Sequence, residues 1–597
     1  MNAPSRISWR NSLIAAYLLA IVPAVATALL QPVWSLVDES DHYDLIVQYA
    51  RGMYPSPAER PTILAETRQI TERSGTYGYV AAGTVPRPFI GGLFEVEPPG
   101  LDRAQHNLWV TRHFWQFSKE AGQAPLFYIV AVPIFALGDW ISGPQGALLA
   151  LRLFNVLLTA LLAPIAFVLS LRLWPGARRV ATGAAVLTAV LAGPVLDFTH
   201  VTNDTLAAVL VGACLVVATG VNPEWTARRT ALLGLLFGAA CLTRVPDAAI
   251  APALFIPLLR GPARVRITNC AVFIGVSTAV VSPWLVTNLV RFGSLTQLSA
   301  EAKWWPVPPP TADPAFWALS TLKMVSTFLV DVPYGVLPSA PWLTIALSAS
   351  LALSVIGAVL AVFSAVGLWR AARDPRPPIS RPTLALLGTA TAGITAAAIL
   401  TPLLVQLGVL VPGRYLYPAL PAIAALLVAG LVIELKPAVT KAAVAVLAVL
   451  SVVVLAVFLA QPMSGPQGPG HPVNASIQAR SDQGSFGPFT VNVLACARDR
   501  STGVWVQIFA ANSSPGPADW MPAPIVSANG TILATSDYRR STQLPGTLGD
   551  RQPVTGWLWL GDVATLGGGQ MVTLTFPGVA VDSYHRIGDL IVATELC

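Results

Sequence analysis

Apolar runs of 17 or more residues recur between positions 11 and 460 of this 597-residue chain. Each is long enough to cross a hydrocarbon core of about 30 Å. A chain carrying so many of them is built for a bilayer and not for one soluble core. Only 11% of its residues are charged, where a soluble domain has about a quarter. The first run, Asn11 to Leu30, has the length of a signal sequence, but it lacks a small-residue cleavage site and Gln31-Pro32-Val33-Trp34 follows at once. It is read as a retained helix.

The net charge of +7 would suggest nucleic acid in a soluble protein, but here the basic residues sit between the apolar runs. They cluster at Arg6/Arg10, Arg172/Arg178/Arg179, Arg228/Arg229, Arg260/Arg264/Arg266, Arg370/Arg373/Arg376/Arg381 and Lys436/Lys441. Placing every cluster on the cytoplasmic side sets the topology. About eleven spans follow, at roughly 11–30, 146–172, 179–198, 205–221, 230–243, 247–259, 267–290, 341–369, 383–408, 417–435 and 438–460. The N-terminus is then cytoplasmic and the C-terminal region outside. The apolar segment 125–141 would break this count, so it is read as an interfacial or partly inserted helix on the external side, with Pro133, Tyr128 and Trp140 in keeping. The short spans 230–243 and 247–259 read as a hairpin with its tip at Thr243-Arg244-Val245-Pro246-Asp247. Irregular backbone of that kind must be buried in protein or line a polar cavity.

Within the transmembrane domain 1–460, two external regions are large: 31–124, which holds eleven of the thirty acids, and 291–340, with KWWPVPPP at 303–310. A Pro/Gly-rich linker at 461–471 leads to residues 472–597, where alternating segments such as FTVNVLACA, GVWVQIFAA and MVTLTF predict a sandwich-like all-β domain. Asn529-Gly530 predicts a tight hairpin there. Cys496 and Cys597 lie in this domain and can pair if it faces an oxidising compartment, whereas Cys214, Cys241 and Cys270 read as packing residues in apolar segments. Trp557 and Trp559, two apart on one strand, read as core before sugar platform.

The residues able to do chemistry gather at the external ends of the spans. Asp38, Glu39, Asp41, His42 and Asp44 crowd within seven positions after the first span. Like charges so close are costly without a cation among them; the plain alternative is a solvated acidic loop start. Asp204 stands at the external start of the fourth span, where it or Asn203 can serve as a helix cap. Arg244 is at the hairpin tip and Arg414 lies between the ninth and tenth spans. Either arginine alone can be a snorkelling side chain, but charges at membrane depth usually serve a site. Here four separate loops bring acids and arginines to one level.

These residues carry a resemblance. Asp38-Glu39 with His42, AGQAPLFY at 121–128, NDTL at 203–206, LTR at 242–244, PWLVTNLVRFG at 283–293 and GRYLYPALP at 413–421 fall in the order found in GT-C glycosyltransferases. The chain resembles these membrane enzymes, which use polyprenyl-phosphate sugars and include the aminoarabinose transferases and protein O-mannosyltransferases. It looks closest to a bacterial GT-C-like membrane-protein family. The aminoarabinose transferases carry Glu-Lys before the juxtamembrane proline, where this chain has Gln123-Ala124-Pro125.

The resemblance implies a GT-C fold in a bacterial inner membrane and Asp38 as general base, with Glu39 and His42 in the catalytic motif. It implies Arg244, Arg414 and Tyr415 at the lipid phosphate. Asp204 would position the site or, with Asp38, a divalent cation (Mg or Mn). The reaction expected is transfer of a sugar from a polyprenyl-phosphate donor to an extracytoplasmic envelope glycan or glycolipid, with inversion at the anomeric centre and no nucleic acid involved. Other readings are a multi-span transporter, though no inverted repeat is evident, and a glycan-binding envelope protein that works through its β-domain.

Overall fold

The computed structural model describes residues 6–31, 38–56, 119–220, 225–297, 314–330, 340–404 and 411–459 of a helical unit. It also describes 475–499, 503–513, 518–520, 524–535, 547–548, 553–581 and 586–597 of a β unit, with residues 64, 67 and 472 singly. Most of the acidic stretch 57–118, the KWWPVPPP run and the linker 461–471 lie outside the described residues. The chain divides into two compact units, one holding Met1–Pro61 and Ser118–Gln461, the other Pro462–Cys597.

The helical unit runs α1 (Arg6–Leu30), α2 (Glu39–Ala50), α3 (Leu126–Leu173), α4 (Arg178–Val190), α5 (Ala192–Phe198), α6 (Asp204–Ala218) and α7 (Ala227–Cys241). It continues with α8 (Ala251–Leu258), α9 (Ala263–Phe292), α10 (Pro314–Thr327), α11 (Ala340–Arg373), α12 (Arg381–Leu404), α13 (Leu420–Glu434) and α14 (Pro437–Leu459). A helix stands at each of the eleven expected spans. Among the described residues, seven are long and apolar enough to cross a membrane, or eight if the bent pair α4–α5 is one span. The other three, α6, α7 and α8, have 15, 15 and 8 residues. At 1.5 Å per residue none covers a 30 Å core alone, as expected of the short hairpin spans α7 and α8.

Segment 125–141 is the first arm of α3, which breaks at Ser142 and Gly143 (φ 64°). There the chain folds back on itself. Phe127 faces Phe154 with ring centroids 6.4 Å apart, and a Cβ on Gly138 would strike the carbonyl of Gly146. The first arm is therefore an antiparallel partner to the start of the following span. The tip between α7 and α8 is buried, with Thr243 and Asp247 at 0% exposure. Three of the basic clusters meet at the other end of the bundle. Ser380 N donates to Leu173 O (2.7 Å), and Arg370 pairs with Glu434 at 2.7 Å, joining the ends of α3, α11, α12 and α13.

The β unit is two antiparallel sheets. Strands β1 (Ala475–Phe486), β2 (Phe489–Asp499), β3 (Gly503–Asn512) and β8 (Pro553–Gly561) form one in the order β1-β2-β3-β8. The other runs β6 (Thr531–Thr535), β5 (Ile525–Ala528), β9 (Met571–Val581), β4 (Ala518–Asp519), β7 (Thr547–Leu548), with β10 (Arg586–Glu595) also on β9. Alternate residues Val504, Val506, Ile508, Leu558 and Leu560 share a core with Phe489, Trp520 and Phe576. Asn529 and Gly530 both take positive φ (51° and 79°) between β5 and β6, the turn their sequence demands. Trp559 is buried against Trp505 with Trp557 beside it, on the strand face away from that core. Cys496 and Cys597 form a disulfide.

Candidate active site

The site is assembled at the end of the bundle opposite the basic clusters. Asp38 caps α2 in a left-handed conformation (φ 57°), which few non-glycine residues tolerate, and its carbonyl accepts the first helical hydrogen bond from His42 N (2.9 Å). Its carboxylate takes a 2.8 Å bond from Nη2 of Arg414. Arg414 sits in a 3₁₀ turn (Gly413–Ala419) before α13.

A second pair lies beside it. Arg244 Nε is 3.1 Å from Asp204 Oδ1. Local bonds explain the meeting: Leu126 N donates to Leu242 O (2.9 Å) and Asn203 Nδ2 to Thr243 O (3.1 Å), so the tip backbone is stapled next to the start of α6. The two guanidiniums share one aromatic neighbour. Arg244 lies 4.8 Å and Arg414 5.8 Å from the centroid of the Tyr415 ring. Asp38 and Asp204 both act electrostatically on Arg414 and Tyr415.

Neither arginine is used up by these contacts. Arg414 Nε is buried with no hydrogen-bond partner among the described residues. Arg244 Nη1 and Nη2 make no hydrogen bond to the described residues either. A buried donor left in this way, as at Arg414 Nε, is expensive unless a further acceptor comes to it.

Glu39 points elsewhere. Its carboxylate, at 0% exposure, is gripped by Arg152 through Nε (2.8 Å) and Nη2 (2.6 Å) and also accepts from Val201 N (3.0 Å). Arg152 Nη1 donates to the carbonyls of Ala28 (3.2 Å) and Gln31 (3.1 Å) at the end of α1. One buried ion pair thus ties α1, α2, α3 and the loop before α6, and so sets the place of Asp38. Sequence reasoning did not single out Arg152, although a lone arginine inside an apolar run is a signal in itself. His42 shares a 2.8 Å hydrogen bond with the hydroxyl of Tyr128 and stacks on its ring. Tyr128 stacks on Tyr49, which meets Tyr54 edge-on. Burial pushes the phenols of Tyr43 and Tyr49 upward and that of Tyr54 to about 12, so all three remain hydroxyls.

Asp41 and Asp44 are buried on α2, where Gln48 Nε2 donates to Asp44 Oδ2 at 2.5 Å. His200, in the turn before α6, is also buried, and desolvation takes its pKa down to about 4. As for a divalent cation, Asp38 and Asp204 each have one oxygen on an arginine. Among the described residues no three His, Cys, Asp or Glu side chains come together as a metal site. The described donor set does not make up a metal site.

The fold and the site together define a multi-pass membrane protein with a β-sandwich unit and a half-buried site of paired carboxylates and arginines. No protein-family model matches the sequence, and no curated protein is similar to it. Solved structures share part of its backbone course. ArnT from Cupriavidus metallidurans bound to undecaprenyl phosphate is 16% identical, with a TM-score of 0.41, over 74% of this chain and 62% of that one. The Archaeoglobus fulgidus oligosaccharyltransferase with Zn and sulfate is 14% identical, TM-score 0.40, over 74% and 53%. AglB from Archaeoglobus fulgidus, with an inhibitory peptide and a dolichol-phosphate, is 12% identical, TM-score 0.40, over 75% and 55%. The chain thus spans 53–62% of the length of these three.

Proposed function

We propose that this chain is a GT-C type membrane glycosyltransferase that moves a sugar from a polyprenyl-phosphate donor to an extracytoplasmic glycan or glycolipid of the bacterial envelope. One observation carries the reading. Two arginines with unspent donors flank one tyrosine, and a carboxylate stands on one of them. Guanidinium suits phosphate oxygens, and a carboxylate within hydrogen-bond reach suits an acceptor hydroxyl.

In the reaction proposed, the donor phosphate takes the free donors of Arg244 and Arg414. Asp38 accepts the proton of the acceptor hydroxyl as its oxygen attacks the anomeric carbon. The bond from that carbon to the phosphate oxygen breaks, and the electron pair leaves with the polyprenyl phosphate, held by both arginines. Displacement in a single step inverts the anomeric centre. Asp204 orients Arg244, and Glu39 with Arg152 fixes the start of α2. In this reading the basic clusters mark the cytoplasmic end of the bundle and the site is extracytoplasmic; the disulfide of the β unit suits an oxidising compartment.

The test is sugar transfer from radiolabelled polyprenyl-phosphate sugars in membranes carrying wild type or Asp38→Asn, with envelope lipids and glycans as acceptors. Transfer by wild type and none by the folded variant supports the reading. Undiminished transfer by the variant removes Asp38 as the base, and a wild type inactive with every donor favours transport or scaffolding.

A further inference from the structure

The tip between α7 and α8 carries a carboxyl group that the reaction above does not use. Asp247 is at 0% exposure, and neither of its carboxylate oxygens has a hydrogen-bond partner among the described residues. Burying a carboxylate without donors is costly. Its place in the first turn of the 3₁₀ segment Val245–Ile250 would account for an acid that bonded the N–H groups of that turn. Here it bonds none of them.

The surroundings of Asp247 point to Arg244. Asp247 N donates to Arg244 O (3.1 Å), so one tight turn carries both residues. Arg244 and Asp204 are the charged groups that act electrostatically on Asp247. The field of Asp247 also reaches the thiols of Cys214 on α6 and Cys241 on α7, neither of which supplies a cation. Behind the turn α12 is in close contact, since a Cβ on Gly393 would strike the carbonyl of Ala249. Arg244 thus has two carboxylates near it, one held at 3.1 Å through Nε and one not bonded. One guanidinium set against two acids is a weaker attractor for an anion arriving at its Nη atoms.

We propose that Asp247 is a positioning residue that acts through Arg244, an unbonded counter-charge that limits how tightly the site holds phosphate. The inference rests on the glycosyltransferase reading. In that reaction the donor phosphate is a diester with one ionisable oxygen, and the departing polyprenyl phosphate is a monoester with two. Two arginines alone would hold the product more tightly than the donor. A fixed negative charge beside Arg244 opposes the more highly charged of the two, and so favours release after transfer.

The experiment compares binding of undecaprenyl phosphate and undecaprenol to the purified full-length protein, for wild type, Asp247→Asn, Arg244→Ala and the double variant. Wild type should favour the phosphate. Asp247→Asn keeps the shape and should bind the phosphate roughly tenfold more tightly, a coupling of the size seen within one charged network, with undecaprenol unchanged. In the Arg244→Ala background the same substitution should change phosphate binding little. In turnover, inhibition by added undecaprenyl phosphate should strengthen by a similar factor, with a smaller fall in donor KM. If Asp247→Asn does not fold, Asp247→Leu, which also removes the charge, carries the same expectation. Unchanged or weaker phosphate binding in a folded variant overturns the role of Asp247 and leaves the function standing. Equal tightening with and without Arg244 does the same. A wild type that binds the two lipids equally overturns the function itself, and this inference with it.

Discussion

Arg414 Nη2 and Asp38 Oδ2 meet at 2.8 Å, joining residues 376 positions apart. Asp38 makes this contact from a left-handed backbone (φ 57°), a conformation costing about 1–3 kcal/mol for a side-chain-bearing residue. The side chains remain partly open, at 22% for Asp38 and 17% for Arg414. The pair is accessible enough to be remade around a substrate. Asp38→Asn keeps shape and a weaker bond to Arg414 while removing the base. Transfer should fall by roughly 10²–10⁴-fold, with undecaprenyl phosphate affinity changed much less. Loss of both together would mean that Asp38 acts on binding alone.

Arg244 should behave in the opposite way. Its Nε is engaged by Asp204, while its Nη atoms are available to an anion. Arg244→Ala should weaken undecaprenyl phosphate binding by roughly ten- to a hundredfold, since a charged hydrogen bond is worth about 1.5–3 kcal/mol. Arg244→Lys should recover only part of this, lacking the fork. Isothermal titration in detergent measures it. Unchanged affinity in Arg244→Ala would remove the phosphate from this side of Tyr415.

Glu39 and Arg152 form a two-bond pair at 0% and 4% exposure. Removing one partner leaves a buried charge, and each single variant, Glu39→Met or Arg152→Met, should cost about 3–5 kcal/mol. The double variant should cost clearly less than the sum of the two. Denaturation by SDS in mixed micelles reads both. Additive losses would show that the pair is not coupled.

How legible these features are in the sequence depends on how far each signal reaches. The apolar runs mark where helices lie, because burying 17 or more apolar residues is a local requirement. They do not tell a hairpin from a crossing. That α3 turns back at Gly143 depends on Gly138 meeting Gly146, and small residues in an apolar run announce no partner. Asp38, Asp204, Arg244 and Arg414 stand out because charge at membrane depth is rare. Which acid meets which arginine is a matter of tertiary geometry, across 376 residues for one pair. Arg152 was hidden inside a span that hydropathy accepts, and its bond to Glu39 crosses 113 positions. In the β unit, Asn529-Gly530 announces its own turn, but β1 (ASIQARSDQGSF) is too polar to read as a strand and forms by pairing with β2.

His200 gives the acid limb of stability a specific shape. Burial holds its pKa at about 4, below the ordinary 6.5, although Glu39 pulls the other way. The folded state therefore binds fewer protons than the unfolded state between those values. Stability from the neutral imidazole is complete above about pH 6.5 and is lost as pH falls through the window to about 4. The full loss is about 3 kcal/mol at 1.36 kcal/mol per pH unit. His200→Asn should flatten this limb in unfolding measured from pH 7 to pH 4. An equally steep limb in the variant would assign the acid lability to the carboxylates.

The Cys496–Cys597 disulfide ties β2, an interior strand, to the segment after β10 across 101 residues of sequence. Arg498 reinforces the junction, donating to the carbonyls of Cys597 (2.7 Å) and Leu566 (2.7 Å). Closing a loop of about 100 residues stabilises a fold by about 4–5 kcal/mol in the chain-entropy account. Reduction, or Cys496→Ser with Cys597→Ser, should therefore lower the melting temperature of the β unit and speed its proteolysis, with the helical unit less affected. The bond also reports the compartment, since disulfides persist where the surroundings are oxidising. In intact cells treated with a membrane-impermeant reductant and then an impermeant maleimide, both cysteines should be labelled, and neither without the reductant. Labelling only after lysis would put the β unit in the cytoplasm and overturn the orientation proposed for the C-terminal region.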